Sequence, residues 1–183
     1  MPYLVLDLET TGTKTFGRFC NPLDPRHYIT AVAYKYQGEQ AKVIYLEKQL
    51  TAEEAIESLD LSKVTHIVGQ NLKFDLLYLW KSDKLQQWIN DGGRVWDTQT
   101  VEYLLTGQDT GKRNLDFLST KYGAELKDHK VTDMFEAGLL SKDIPKDMLI
   151  EYAKNDVINT NTVFKQQFII ARQETPQIGR AHV

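Results

Sequence analysis

The chain has 183 residues, 42% of them hydrophobic and 26% charged, which is ordinary for a globular protein and enough for one domain with a substantial core. Its single cysteine, Cys20, excludes an internal disulfide and fits a reducing compartment. No apolar run approaches a membrane span, and no basic region followed by a long apolar one opens the chain, so the expected location is the cytoplasm, with no membrane partner. The net charge of −3 speaks against a basic nucleic-acid binder, but only as a sum, because acid grouped around bound cations leaves the local charge positive.

Tyr3 to Thr10 reads as a strand that runs into a Thr-Thr-Gly turn ending at Gly12. A polar loop, Thr13 to His27, carries Pro22 and Pro25. Ile29 to Tyr36 and Ala41 to Glu47 read as two further strands around a turn at Tyr36–Gln40, together an antiparallel meander. Thr51-Ala-Glu-Glu opens a helix to about Leu59, with the threonine as N-cap. His66 to Gly69 is a short buried strand, followed by a helix from Lys73 to Trp80. Arg94 to Trp96 is another short strand, and Asp97 caps a helix to Leu105. Asn114 starts a helix to Tyr122, and Val131 to Leu140 reads as a further helix. Pro145 suits the first position of a long last helix reaching Ala171. Three strands followed by alternating helices and short strands imply an α/β sandwich with a mixed central sheet flanked by helices. Repeats, low-complexity segments and internal linkers are absent from this pattern.

The first strand carries the first chemical signal. Side chains alternate across a strand, so Leu4, Leu6 and Leu8 share one face and Asp7 and Glu9 the other, roughly 6–7 Å apart. Two carboxylates at that spacing on a buried strand repel each other and lose hydration. A divalent cation removes both costs, since Mg²⁺ and Mn²⁺ prefer oxygen ligands. The alternative is an edge strand with one solvated face. Gly69-Gln-Asn-Leu-Lys-Phe-Asp75 lies where a strand gives way to a helix, and ligand sites in α/β sheets cluster at the carboxyl ends of strands. Taken alone, Asp75 also suits a helix first turn, Asn71 a cap, and Phe74 either core or a base-stacking surface. On the last helix, Tyr152 and Asp156 are four apart and stack on a face that overlaps the stripe of Met148, Leu149, Ala153, Val157 and Phe164. A carboxylate aimed at a core asks for a cation or a dedicated donor, the latter supplied if Tyr152 and Asp156 form a closed pair. Taken jointly, four carboxylates converging on one point describe a two-cation site that clamps a phosphodiester.

The ordered set Asp-x-Glu-Thr-Thr-Gly, Asn-x-x-x-Asp and Tyr-x-x-x-Asp resembles the three exonuclease motifs of the DEDD superfamily. Tyr152, four before Asp156, resembles the mark of the DEDDy branch, and Glu151 stands where the DEDDh branch has a histidine. The stretches Gly-Gln-Asn-Leu-Lys-Phe-Asp and Trp-Asp-Thr-Gln look like the proofreading domain of bacterial and phage family A DNA polymerases. The resemblance covers about Tyr3 to Ala171. It implies an RNase H-like fold and 3′→5′ removal of nucleotides from single-stranded DNA ends, with RNA as a possible substrate, by a monomeric domain. It also implies that Asp7, Glu9, Asp75 and Asp156 hold two divalent cations, Mg²⁺ or Mn²⁺, and that Tyr152 orients the attacking water and helps activate it. Thr10 and Thr11 would meet the terminal nucleotide, Asn71 and Phe74 its sugar and base, and Lys73, Arg113 and Asn114 the backbone phosphates. Asp97 is expected to be structural. The Thr13–His27 loop departs from the family pattern.

The exonuclease domain is expected over residues 1–172, with 173–183 a tail outside the fold. The last six residues, Ile-Gly-Arg-Ala-His-Val, can be encoded by ATC-GGA-AGA-GCA-CAC-GTC, which matches a common sequencing adapter. The expectation is that the natural chain continues, for example into a polymerase domain. Competing readings are a ribonuclease D-like or Werner-like exonuclease and a non-catalytic nucleic-acid-binding module of the same fold.

Overall fold

The computed structural model describes residues 1–11, 21–109, 111–125 and 130–174. The Thr13–His27 loop is therefore described only from Asn21 onward, and most of the expected tail lies outside the described residues. The sheet has five strands in the order β3-β2-β1-β4-β5. β1 (Tyr3–Thr10), β2 (Ile29–Tyr36) and β3 (Lys42–Leu50) form the expected antiparallel meander. β4 (His66–Gly69) and β5 (Arg94–Asp97) add to the other side of β1 in parallel. β1 is thus the central strand, and the face of Asp7 and Glu9 is not the solvated one of the alternative, since Glu9 is buried and Asp7 half-buried.

Its alternation serves two cores. Leu4, Leu6 and Leu8 pack on one face with Ile56, Leu79 and Leu85 from three helices and with Leu59 and Leu72 just outside them. These helices are α1 (Ala52–Glu57), α2 (Lys73–Leu79) and α3 (Asp83–Asn90). Tyr3 and Val5 point the other way, into Ala153, Val157 and Phe164 of the long last helix. Each fully buried leucine contributes about 1.5–3 kcal/mol. Thr51 and Glu54 make the expected capping box, and α1 ends sooner than the sequence suggests, at Glu57. α3 was not anticipated. Its cap is Ser82, whose hydroxyl accepts the Leu85 N–H at 3.3 Å.

α4 (Thr98–Leu105) and α5 (Leu115–Tyr122) start on the expected caps Asp97 and Asn114. α6 (Lys130–Glu136) stops four residues before the expected Leu140. Gly138 takes a left-handed φ of +95°, and the Leu139 N–H returns to the Met134 carbonyl at 3.0 Å, which closes the helix. α7 (Lys146–Glu174) begins one residue after Pro145, whose carbonyl accepts the Leu149 N–H at 3.1 Å. Among the described residues, no helix is long and apolar enough to cross a membrane.

α7 crosses the sheet and must be held at both ends. Near β1, the Tyr3 hydroxyl donates to Asn161 Oδ1 at 2.8 Å and its ring meets Phe164 at 4.7 Å. At the far end, Gln167 donates to the Thr98 carbonyl at 2.9 Å and to Glu102 at 3.0 Å. Glu102 is 1% exposed and also accepts from Lys121 at 2.5 Å and Tyr122 at 2.6 Å. Burial pushes its carboxyl up, but the bonds from Lys121, Tyr122 and Gln167 outweigh that and hold it below its ordinary 4.5. Such a group stabilises the fold above its ordinary pKa, and the contribution fades as pH falls through the lowered value. Glu102→Ala should cost about 3 kcal/mol at pH 7, because three donors lose their acceptor, and the loss should shrink below pH 4. Urea titrations of both proteins at the two pH values measure this.

Candidate active site

The site arises because β1 outlasts its parallel neighbour. β4 pairs with β1 only over Tyr3–Val5, ends at Gly69 and peels away into α2. β1 continues against β2 alone, with Asp7 opposite Ala33 and Glu9 opposite Ala31. By alternation, Asp7 and Glu9 extend the Tyr3–Val5 face, under α7. Past the end of β4, the Leu8 N–H donates to Asp75 Oδ1 at 2.9 Å instead of to a strand.

This junction depends on glycine. A Cβ at Gly69 would lie 2.6 Å from Leu72 Cδ1 and 3.1 Å from the Leu6 carbonyl oxygen. Leu72 is 1% exposed and has nowhere to move. Gly69→Ala should lower stability by about 1–3 kcal/mol and disturb the backbone one residue before Asp7. Thermal unfolding of the variant measures the first effect and turnover of the same sample the second.

α7 brings Tyr152 and Asp156 to the open end of β1. One oxygen from each of Asp7, Glu9 and Asp156 lies within 4.8 Å of the others. Glu9 and Asp156 are buried and Asp7 is half-buried. Three hard oxygen donors gathered in this way, with little water to screen them, suit a divalent cation. Asp75 adjoins the group through Asp7. Burial, and next the charge of Asp7, raise the Asp75 carboxyl well above its ordinary value, while the Leu8 N–H opposes them. The Tyr152 phenol is also pushed up, first by burial and then by Asp156 and Glu9, so it keeps its proton at neutral pH. Phe135 of α6 meets its ring edge-on at 6.3 Å.

The expected substrate-side residues fall into three places. Thr10 ends β1, and Thr11 is buried, with its N–H donating to the Tyr28 carbonyl at 3.1 Å and its hydroxyl accepting the Tyr28 N–H at 3.3 Å. Asn71, Lys73 and Phe74 stand at the turn into α2. Asn71 has a left-handed φ of 53°, held by its N–H donating to Asp97 Oδ1 at 3.0 Å. Asp97 therefore has the structural role expected of it, since the same oxygen caps α4 through the Gln99 N–H. Lys73 is exposed, while Phe74 is half-buried and packs on Tyr78 at 5.2 Å. Arg113 and Asn114 lie at the start of α5, where Asn114 caps the helix and the Arg113 guanidinium sits 5.0 Å over the Tyr103 ring. Gln70, which sequence reasoning passed over as a single residue, ties the second place to the third. It donates to the Arg113 carbonyl at 2.7 Å and accepts from the Thr98 hydroxyl.

A mixed five-stranded sheet flanked by helices, with carboxylates at the open end of its central strand and on the helix that crosses it, defines the RNase H-like exonuclease class. The family model described as 3′-5′ exonuclease matches residues 1–166, and the chain belongs to that family. Similar solved structures include Brucella melitensis NrnC bound to pGG, with a TM-score of 0.61 and 17% identity over 98% of this chain and 78% of that one. NrnC with bound Mg²⁺ gives a TM-score of 0.60 and 16% identity, over 98% and 79% of the two chains. The family B DNA polymerase from the hyperthermophilic archaeon Pyrobaculum calidifontis gives 0.58 and 17%, over 92% of this chain and 24% of the polymerase. At such identities the likeness is one of fold. No curated protein matches the sequence.

Proposed function

We propose that the protein is a two-cation DEDDy exonuclease that removes nucleoside monophosphates from the 3′ ends of single-stranded DNA, as the proofreading module of a DNA polymerase. The observation that carries this reading is the convergence of Asp7, Glu9 and Asp156 within 4.8 Å, beside the buried Asp75. Asp7, Glu9, Asp75 and Asp156 would hold the cations, Mg²⁺ or Mn²⁺, which when bound lower the pKa of water and offset charge at the leaving oxygen.

The protein's own part is placement. β1 and α7 are rigid elements that hold three carboxylates at fixed separation. Tyr152, protonated, donates to the attacking water and orients it. Water attacks phosphorus, the bond to the 3′ oxygen breaks, and the terminal nucleotide leaves as a monophosphate. Thr10 and Thr11 meet that nucleotide, Asn71 and Phe74 its sugar and base, and Lys73, Arg113 and Asn114 the phosphates behind it. An RNA-directed reading has support in the fold likeness to NrnC, which was solved with pGG.

The test is digestion of 5′-labelled single-stranded DNA, and of RNA of the same sequence, with Mg²⁺, Mn²⁺ or EDTA. The expected result is a DNA ladder shortening from the 3′ end, absent in EDTA. Digestion of RNA with DNA left intact would replace the proofreading reading with the RNA-directed one. No digestion of either would leave the binding module.

A further inference from the structure

Asp97 does more than cap α4. Parallel pairing sets it opposite Gly69, at the level where β4 hands over to the turn before α2. From there one carboxylate oxygen serves both elements. Oδ1 accepts the Gln99 N–H of α4 at 2.9 Å and the Asn71 N–H at 3.0 Å. The next residue, Thr98, is fully buried and donates its hydroxyl to the Gly69 carbonyl at 3.2 Å, which fixes the near side of the turn. On the far side, the Asn71 carbonyl accepts the Phe74 N–H at 2.9 Å. Asn71 is thus gripped through both of its backbone groups while its φ is 53°. A left-handed backbone is costly for a residue with a Cβ, though asparagine tolerates it better than most. One hydrogen bond is comparable to that cost, so the Asp97 bond decides the conformation. Without it Asn71 relaxes toward negative φ, and its side-chain amide turns to another direction.

We infer that Asp97 is a positioning residue for substrate binding, clamping Asn71 so that its amide meets the terminal nucleotide. The inference rests on the role proposed above for Asn71. It gives the β5–α4 junction a share in affinity for the 3′ end, exerted through Asn71 alone. An asparagine at position 97 keeps an oxygen for both N–H groups and removes the charge, so Asp97→Asn separates the hydrogen bond from the charge.

The experiment is steady-state digestion of 5′-labelled single-stranded DNA with Mg²⁺ by wild type, Asp97→Asn, Asp97→Ala, Asn71→Gly and the Asn71→Gly/Asp97→Ala double variant, with a melting temperature for each. Asp97→Ala should raise KM about tenfold with kcat unchanged, and should melt earlier because α4 loses its cap. Asp97→Asn should restore KM. Glycine takes a left-handed φ without a clamp but has no amide, so Asn71→Gly should raise KM alike. In that background Asp97→Ala should add nothing to KM and still lower the melting temperature, which parts the clamp from the cap. Should Asp97→Ala not fold, Asp97→Ser takes its place, since it caps α4 with a shorter reach toward Asn71. Wild-type KM in the position-97 variant beside a raised KM in Asn71→Gly overturns the inference. So do multiplicative KM effects in the double variant, and an Asp97→Asn as impaired as Asp97→Ala. Wild-type KM in Asn71→Gly overturns the role of Asn71 and the inference with it. A wild type that leaves DNA intact overturns the exonuclease reading itself.

Discussion

Asp156→Ala should lower the rate of 3′-end cleavage by about 10³-fold or more while the protein stays folded. Asp156 stands with Asp7 and Glu9, one oxygen of each within 4.8 Å of the others, an arrangement that suits a divalent cation. Offsetting charge at a phosphodiester is worth several kcal/mol, and each 1.36 kcal/mol is tenfold in rate. Folding should survive, because the neighbours that anchor α7 are Ala153, Val157 and Phe164 on one side and Gln167 on the other. Removing one of three crowded acids also relieves repulsion. Asp7→Ala should behave alike. Melting temperature measured with and without Mg²⁺ separates the effects: wild type should gain stability from the cation, and both variants should lose that gain. Wild-type turnover by either variant at saturating Mg²⁺ would end the enzyme reading.

Asp75→Asn should raise the melting temperature in EDTA while removing activity. The Asp75 carboxyl is raised above its ordinary 3.8, first by burial and then by the charge of Asp7. The folded protein therefore binds more protons than the unfolded chain between 3.8 and the raised value. Stability falls as pH climbs through that window and stays lower above it. The amide cannot ionise, and its oxygen still accepts the Leu8 N–H. The variant should gain about 1–2 kcal/mol at pH 7, or roughly 2–4 °C per kcal/mol for a chain of this size. It should also lose the downward slope of stability with pH. Melting curves in EDTA across pH 4 to 8 decide it, and a variant that melts below wild type at pH 7 would contradict the account.

The parts of the site that sit on one element were legible from residues alone. Leu4, Leu6 and Leu8 against Asp7 and Glu9 is a period-two pattern, and Tyr152 with Asp156 is one helical turn. Parts that depend on meetings between elements were not. Nothing local in Met134-Phe135-Glu136 says that the phenylalanine ring will meet Tyr152. Gln70 sits inside a motif, but its bond to Arg113 depends on where α5 starts. The meander of β1 to β3 was readable because its turn is short, with Glu39 N–H donating to the Tyr36 carbonyl at 3.0 Å. The position of β4 beside β1, which makes β1 central, comes from a parallel crossover that leaves no local signature. α3 had a readable signal, Ser82 followed by apolar residues at Leu85, Trp88 and Ile89, and simply went unread. The end of α6 turned on Gly138, where an apolar run beyond the glycine invites a longer helix than its left-handed turn permits.

The most direct measurement is anomalous scattering from Mn²⁺ in crystals of the protein with a short single-stranded DNA. The account expects two peaks about 3.5–4 Å apart, both bounded by Asp7, Glu9, Asp75 and Asp156. Peaks elsewhere, or none at a Mn²⁺ concentration at which the same sample degrades DNA in solution, would contradict it.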